Sequence, residues 1–344
     1  MLSETTRERF EEFAALVRRR PGRWLVLTHD NPDPDSIVSA AGLAKILRHS
    51  FKHQVTVAYG GIIGRAENQE TVKVLGMRLS HARHLKWKSY RNIALVDAQP
   101  GTGNNQLDRV LPHVVFDHHP IRRATHKVPF ADVRTNYGAT ATMIAEYVSA
   151  CGLDFSKREA TAFVYAIRSE TQDFGREFST EDRVVFDRLK PLADLRALAR
   201  IQNPRLPRTY FYNLHQALEN LQSSGSLVVS HLNDIDQPDI VPEIADLLLR
   251  LNGMTWSFCT GVFEERLYVS LRTTNPRADA GRLMRRLLGR KGRGGGHGMM
   301  AGGWIEYSDT RSGTAAGLQN YLAQRLARLL KKKPDLQKID LQPS

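Results

Sequence analysis

The sequence predicts two successive α/β domains, the first built on a doubly wound parallel sheet and the second smaller. Three observations carry that reading. A length of 344 residues exceeds what one hydrophobic core comfortably serves. Residues 24–28, 55–59, 93–96 and 114–116 are short β-branched runs, apolar on both faces as strands covered by helices on both sides are, and longer helix-like segments separate them. That alternation stops near residue 180, and strand-like and helix-like runs resume only after the small-residue break at 223–226.

The elements follow in order. Thr5 and Glu8 have the spacing of a capping box, and Phe10, Phe13, Ala14 and Val17 then share one helical stripe, so an amphipathic helix opens the chain and Pro21-Gly22 closes it. The four apolar runs come next as strands, followed by helices over residues 139–149 and 157–168 and an Arg- and Leu-rich stretch to residue 222. Runs at 227–230, 241–251, 255–263 and 267–272 build the second domain, with a helix near 280–288, a glycine cluster at 292–298, a strand near 303–307 and a helix over 315–330. The expected organisation is a first domain at 1–190, a helical linker at 191–225, a second domain at 226–330 and a polar tail at 331–344.

Composition narrows the class. With 41% hydrophobic and 25% charged residues the chain is globular, and no apolar run approaches the roughly 18 residues a spanning helix needs. A soluble, cytoplasmic protein without a membrane partner is expected. Cys151 and Cys259 lack partners at metal-finger spacing, which excludes a disulfide framework and a zinc finger. The formal net charge of +13 favours a polyanionic partner, with nucleotides and nucleic acid foremost.

The residues that carry chemistry stand at strand ends. His29, Asp33 and Asp35 follow the first run, Asp97 the third, and Asp117-His118-His119 ends the fourth. Ligands of open α/β sheets bind beyond the carboxyl ends of strands, so three such termini deliver carboxylates and imidazoles to one edge. One Asp there can simply cap a helix, as Asp35-Ser36 is able to do. A set of oxygen and imidazole donors without thiolates suits Mn²⁺ or Mg²⁺, and more than four ligands imply two ions. Two ions sharing a carboxylate polarise a phosphoryl oxygen, activate water near neutral pH and steady a leaving group, so phosphoester hydrolysis is the natural reaction.

In these motifs and their order the chain resembles the DHH phosphoesterases, whose name matches Asp117-His118-His119. By that resemblance His29 and Asp33 bind one metal, Asp35 and His118 the other, and Asp97 bridges them; Asp117 orients a histidine and His119 faces the substrate phosphate. Glu170 takes the position usually held by an aspartate, with Asp173 as rival ligand, and Pro34 and Ser36 differ from the small residues usual beside the paired carboxylates. The run Gly294-Gly295-Gly296-His297 resembles the signature of the C-terminal domain associated with many DHH proteins, which grips the nucleotide, and Arg272 stands where that domain often supplies a basic contact. Glycine lets backbone amides approach an anion, and a helix starting just after the run would aim its positive end there.

The resemblance implies a manganese-dependent phosphoesterase whose active site lies in an interdomain cleft, with a homodimer possible. Short oligonucleotides or small phosphorylated nucleotides are the expected partners, foremost oligoribonucleotides degraded from one end and 3′-phosphoadenosine 5′-phosphate. The alternatives are a cyclic or linear dinucleotide phosphodiesterase, a single-strand exonuclease of RecJ type and a non-catalytic nucleotide- or RNA-binding regulator. Soluble inorganic pyrophosphatases share the metal motifs but resemble a different C-terminal domain.

Overall fold

The structure, a computed structural model, describes residues 3–107, 110–175, 177–306, 308 and 314–341. It divides into two units, Met1–Arg205 and Leu206–Ser344. The first runs α1 (Glu4–Arg18), β1 (Trp24–Leu27), α2 (Pro34–His49), β2 (Val55–Tyr59), α3 (Ala66–Leu75), β3 (Ser80–His81), β4 (Asn92–Val96), β5 (Val114–Asp117), β6 (Phe130–Val133), α4 (Thr140–Ala150), α5 (Lys157–Glu170), α6 (Thr180–Leu189) and α7 (Leu195–Gln202). Its six strands lie in the order β3-β2-β1-β4-β5-β6, and every pairing is parallel. The chain lays β2 and β3 on one side of β1 and then crosses to β4 on the other. The switch point of the doubly wound sheet is therefore between the carboxyl ends of β1 and β4, the place where sheets of this kind bind their ligands.

Burial explains why the strands read as continuous apolar runs. All residues of β1, β4 and β5 are buried, because helices and loops cover both faces of the sheet. On one face Phe13, Phe116, Phe130 and Tyr147 pack edge to face, with ring centres 4.7 Å apart for Phe116 and Tyr147. Next to them Arg134 joins Asp132 and Glu146 in a buried network, and Glu146 also accepts from Ser3, Thr6 and Tyr137. Ser3, not Thr5, caps α1: its Oγ accepts from the Thr6 amide. The predicted capping box is displaced because Ser3 and Thr6 are both drawn to Glu146, a tertiary partner invisible to local spacing.

The second unit runs α8 (Arg208–Glu219), β7 (Gln222–Ser224), β8 (Leu227–Asp234), α9 (Ile240–Leu248), β9 (Trp256–Phe263), β10 (Arg266–Thr273), α10 (Ala280–Leu288), β11 (Gly292–His297), β12 (Met300–Glu306), α11 (Ala315–Leu329) and β13 (Gln337–Lys338). Its seven strands lie in the order β11-β12-β10-β9-β8-β7-β13, all antiparallel except β8 with β9. One face packs on α10 and α11 through Phe258, Leu267, Leu271, Met284 and Leu322, the other on α8 and α9 through Val228, Ile244 and Cys259. The stretch 191–225, read from sequence as a linker, divides between the units, since α7 packs on α3 and α5 while α8 packs on β8 and α9. Within 331–344, Gln337 and Lys338 pair with β7.

No helix among the described residues is long and apolar enough to cross a membrane. Cys259 is buried and Cys151 partly so.

Candidate metal centre

Five segments of the first unit deliver the donor groups. His29 and Asp33 lie in the loop from β1 to α2, with Asp33 as the α2 N-cap accepting from the Ser36 amide at 3.0 Å and Pro34 in the first turn. Asp35, in the first turn of α2, is 1% exposed, and its two oxygens accept from the Thr140 and Ala141 amides at 2.8 and 2.7 Å. Those amides open α4, whose own N-cap residue Ala139 makes no side-chain cap, so Asp35 caps a helix that follows it by over a hundred residues. The simple capping role foreseen for this loop is thus filled twice, and neither use exhausts the lone pairs of Asp33 or Asp35.

Asp97 ends β4 in the left-handed conformation, φ 54°, a backbone state that costs a non-glycine residue about 1 kcal/mol or more and that gathers at functional sites. Its amide donates to the Phe116 carbonyl at 2.8 Å, and its Oδ1 accepts from the Thr140 hydroxyl at 2.9 Å. The carboxylate is 4% exposed and faces two groups at once. Oδ2 lies 3.6 Å from His29 Nε2, which is also 3.6 Å from Asp33 Oδ1. Oδ1 lies 3.7 Å from His118 Nε2 and 3.8 Å from His119 Nδ1, and His118 Nε2 is 4.0 Å from Asp35 Oδ2. His29-Asp33-Asp97 and Asp97-His118-His119 are accordingly two donor triads that share Asp97.

The donor set fits divalent cations. These separations are too long for hydrogen bonds and short enough for one ion to be shared. The ring of His118 hydrogen-bonds through Nδ1 to the Tyr137 carbonyl at 3.2 Å, and its buried Nε2 has no hydrogen-bond partner. With the proton on Nδ1, the Nε2 lone pair faces two carboxylates, an arrangement that only a cation between them makes favourable. His29 repeats the pattern, bonding through Nδ1 to the Asp30 carbonyl at 2.9 Å.

Charge tells the same story. Burial pulls the His29 imidazole down, but Asp33 and Asp97 outweigh it and hold it well above its ordinary value. Burial, with Asp97, Glu170 and Asp33 adding to it, pushes Asp35 well up. Asp33 goes the other way, because His29 overcomes the effect of burial. The cluster carries surplus negative charge, which bound cations would neutralise while displacing protons.

Asp117 and His119 form a second layer of order. Burial raises a carboxylate, but His119 and Gln99 reverse that for Asp117: His119 Nδ1 lies 2.9 Å from Asp117 Oδ1, which also accepts from the His118 amide at 3.0 Å. In return His119 is pushed up to about 9 against the pull of burial, by Asp117 and Asp97 foremost. Gln99, two residues past Asp97, is one residue the sequence reading missed. Its amide donates to Asp117 Oδ2 while its oxygen accepts from the Arg122 amide and the Thr125 hydroxyl, each at 2.7 Å. The signal available was its place in the loop after a site-bearing strand.

Glu170 ends α5 and belongs to neither triad, though it reaches the cluster electrostatically: burial and Asp33 push it up to about 7. Asp173, its rival, instead pairs with Arg168 and is 65% exposed. In the second unit the glycine run is an edge strand, not a loop; the strand expected near 303–307 is there as β12 and follows the run directly, so the helix that would have aimed its positive end at the run does not come after it. The helix that meets it, α10, precedes it, and its Ala280 and Arg282 amides donate to the Gly298 carbonyl and the Asp279 carboxylate. A Cβ on Gly294 would stand 2.6 Å from Leu288 Cδ1, and one on Gly296, at φ 147°, 2.2 Å from the Met300 carbonyl oxygen, whereas a Cβ on Gly295 would meet nothing within 4 Å. Arg272 is 8% exposed and donates to Asp246 at 2.6 Å and to the Leu271 and Ala301 carbonyls at 3.2 Å. The side chain of His297 lies outside the described residues.

Comparison with known proteins agrees with this division. Residues 23–167 match the model of the DHH family, N-terminal domain, and residues 224–332 that of the DHHA1 domain. The chain is 33% identical over 276 residues to an uncharacterized protein of Methanocaldococcus jannaschii, covering 79% of this chain and 56% of that protein. It is 29% identical over 176 residues to a probable manganese-dependent inorganic pyrophosphatase of Listeria welshimeri, covering 50% of this chain and 56% of that protein. The chain thus spans little more than half the length of these curated relatives. A crystal structure of an exopolyphosphatase-related protein from Bacteroides fragilis shares the fold, with a TM-score of 0.69 at 16% identity over 96% of this chain and 100% of that one. With both domain models matched in sequence order, the chain belongs to the DHH superfamily, a DHH domain followed by a DHHA1 domain.

Proposed function

We propose that the chain hydrolyses phosphoester bonds in small nucleotides, using two divalent ions, manganese preferred and magnesium possible. The observation that supports this is the sharing of Asp97 between two donor triads at the sheet's switch point. In this reading His29 and Asp33 would hold one ion and His118 and Asp35 the other, with Asp97 available to both and Glu170 adding a carboxylate from the end of α5. The ions, when bound, polarise the phosphoryl group and lower the pKa of water for attack. Asp117 fixes the His119 ring, and His119, charged at neutral pH, meets the negative charge that grows on the phosphate oxygens. Gln99 holds Asp117 in place.

Short oligoribonucleotides and 3′-phosphoadenosine 5′-phosphate are the substrates this reading favours. The manganese preference leans on the description of the Listeria relative, while the DHHA1 match favours a nucleotide over pyrophosphate. The test is a Mn²⁺ assay with a labelled dinucleotide, a longer oligomer, a cyclic dinucleotide, 3′-phosphoadenosine 5′-phosphate and pyrophosphate, each with wild type and Asp117→Ala. Release of mononucleotide from the short substrates, lost in the variant, is expected. Binding without turnover would replace the enzyme by a regulator, and turnover unchanged in Asp117→Ala would remove the proposed centre.

A further inference from the structure

Asp182, in the first turn of α6, is wholly buried. It closes a capping box with Ser179, accepting from the Ser179 amide at 2.7 Å and the Ser179 hydroxyl at 2.8 Å. That role needs one oxygen at a helix end, and an exposed carboxylate fills it as well. Asp182 does more. Its Oδ2 also accepts from the Gly138 amide at 2.7 Å, and its Oδ1 accepts from the Thr142 hydroxyl. It therefore grips the start of α4 on both sides of residues 139–141.

The gripped segment is the one that meets the metal centre. The Gly138 amide and the Tyr137 carbonyl belong to one planar trans peptide, so the N–H and C=O point in opposite directions within one plane. The carbonyl end meets His118 Nδ1 at 3.2 Å. Fixing the amide on Asp182 thus fixes the carbonyl on His118. A charged acceptor on the amide also polarises the carbonyl and strengthens the bond it accepts. Glycine is required at 138, because a Cβ there would stand 2.7 Å from Thr171 Cγ2 and 2.9 Å from the Glu177 carbonyl oxygen. Further along, the Thr140 hydroxyl meets Asp97, and the Thr140 and Ala141 amides meet Asp35. His29 and Asp33 are held elsewhere, His29 on the Asp30 carbonyl and Asp33 at the start of α2.

We propose that Asp182 is a positioning residue, acting through the Tyr137–Gly138 peptide to aim the His118 ring and so to set the affinity of the ion assigned to His118 and Asp35. The proposal rests on the two-ion reading above and adds that the two ions depend unequally on α6.

The experiment follows the His118 Nδ1 proton by ¹H–¹⁵N NMR in chelator-stripped protein, assigned by its loss in His118→Gln, and Mn²⁺ binding by titration calorimetry. Asp182→Ala is expected to lose that proton to exchange and to weaken one of the two ions about 10- to 100-fold, leaving the other near wild type. Asp182→Asn keeps an acceptor for the Gly138 amide and restores most of both. Ser179→Ala removes the cap but not the Gly138 contact, so it lowers the melting temperature while the proton and both ions stay as in wild type. Thr142→Val releases one grip, shows the same selective loss on a smaller scale, and carries the test if Asp182→Ala does not fold. An Nδ1 proton unchanged in the folded variants, equal weakening of both ions, or a Ser179→Ala protein that matches Asp182→Ala overturns the proposal. Wild type that binds no Mn²⁺ defeats the two-ion reading instead, and the Nδ1 proton alone then decides whether Asp182 aims the ring.

Discussion

The two units bury imidazoles in opposite surroundings. In the first, His29 and His119 sit among carboxylates and are held above their ordinary values. In the second, His231 has one neutral partner, the Thr260 hydroxyl at 2.8 Å from Nδ1, and burial pulls it down to about 4. The same side chain therefore reports two designs. The first unit concentrates unpaid negative charge at the sheet's switch point, where cations can answer it. The second deletes side chains from a sheet edge, so that α10 packs closely against β11. The difference shows in the first as surplus donors and in the second as missing atoms.

The largest effect that would break this contrast concerns Asp97. Because both triads use it, Asp97→Asn is expected to lower Mn²⁺ affinity by more than about 100-fold, beyond the usual cost of losing an orienting residue. Titration calorimetry checks it; a loss of less than tenfold would mean the triads act without a bridge. Gln99→Ala comes next. It loosens Asp117 without touching a proposed ligand, and turnover should fall about 10- to 100-fold while the fold persists. Full activity would show that Asp117 is held by His119 and the backbone alone.

In the second unit the contrast is one of packing. Gly294→Val drives a side chain into Leu288 and should cost about 1–3 kcal/mol of stability, whereas Gly295→Val should stay within about 0.5 kcal/mol of wild type. Equal melting temperatures for the two would refute the division of the glycine run into a packed face and an open one. The smallest effect is acid sensitivity. Unfolded His231 takes up its proton near pH 6.5 and the folded group only near 4, so the unfolded state binds more protons between these values. Stability of the second unit should thus fall as pH drops from about 6.5 toward 4. Urea midpoints at pH 7 and pH 5 test this, and a His231→Asn variant should flatten the dependence.

How much of this was legible beforehand follows from where each signal resides. The strands carrying the site were readable because parallel strands buried on both faces are apolar throughout, and a charged residue ends each abruptly, as Asp97 ends β4 and Asp117 ends β5. β3, two residues long, and β6, where Asp132 interrupts the apolar pattern, gave no such run. Gln99, Thr140 and the α4 amides were hidden for another reason: their role depends on a fold that brings residues 35, 97 and 140 together. The glycine run misled because glycine reads locally as loop, yet α10 can approach β11 only where side chains are absent. Arg272 was legible as a basic group and not as the buried partner of Asp246.

The most direct test of the central claim is Mn²⁺ titration of chelator-stripped protein by calorimetry, wild type beside Asp97→Asn. Two ions bound per wild-type chain, with binding collapsed in the variant, is the predicted result. Equal binding by the two proteins, or none by either, would contradict a metal centre built on Asp97.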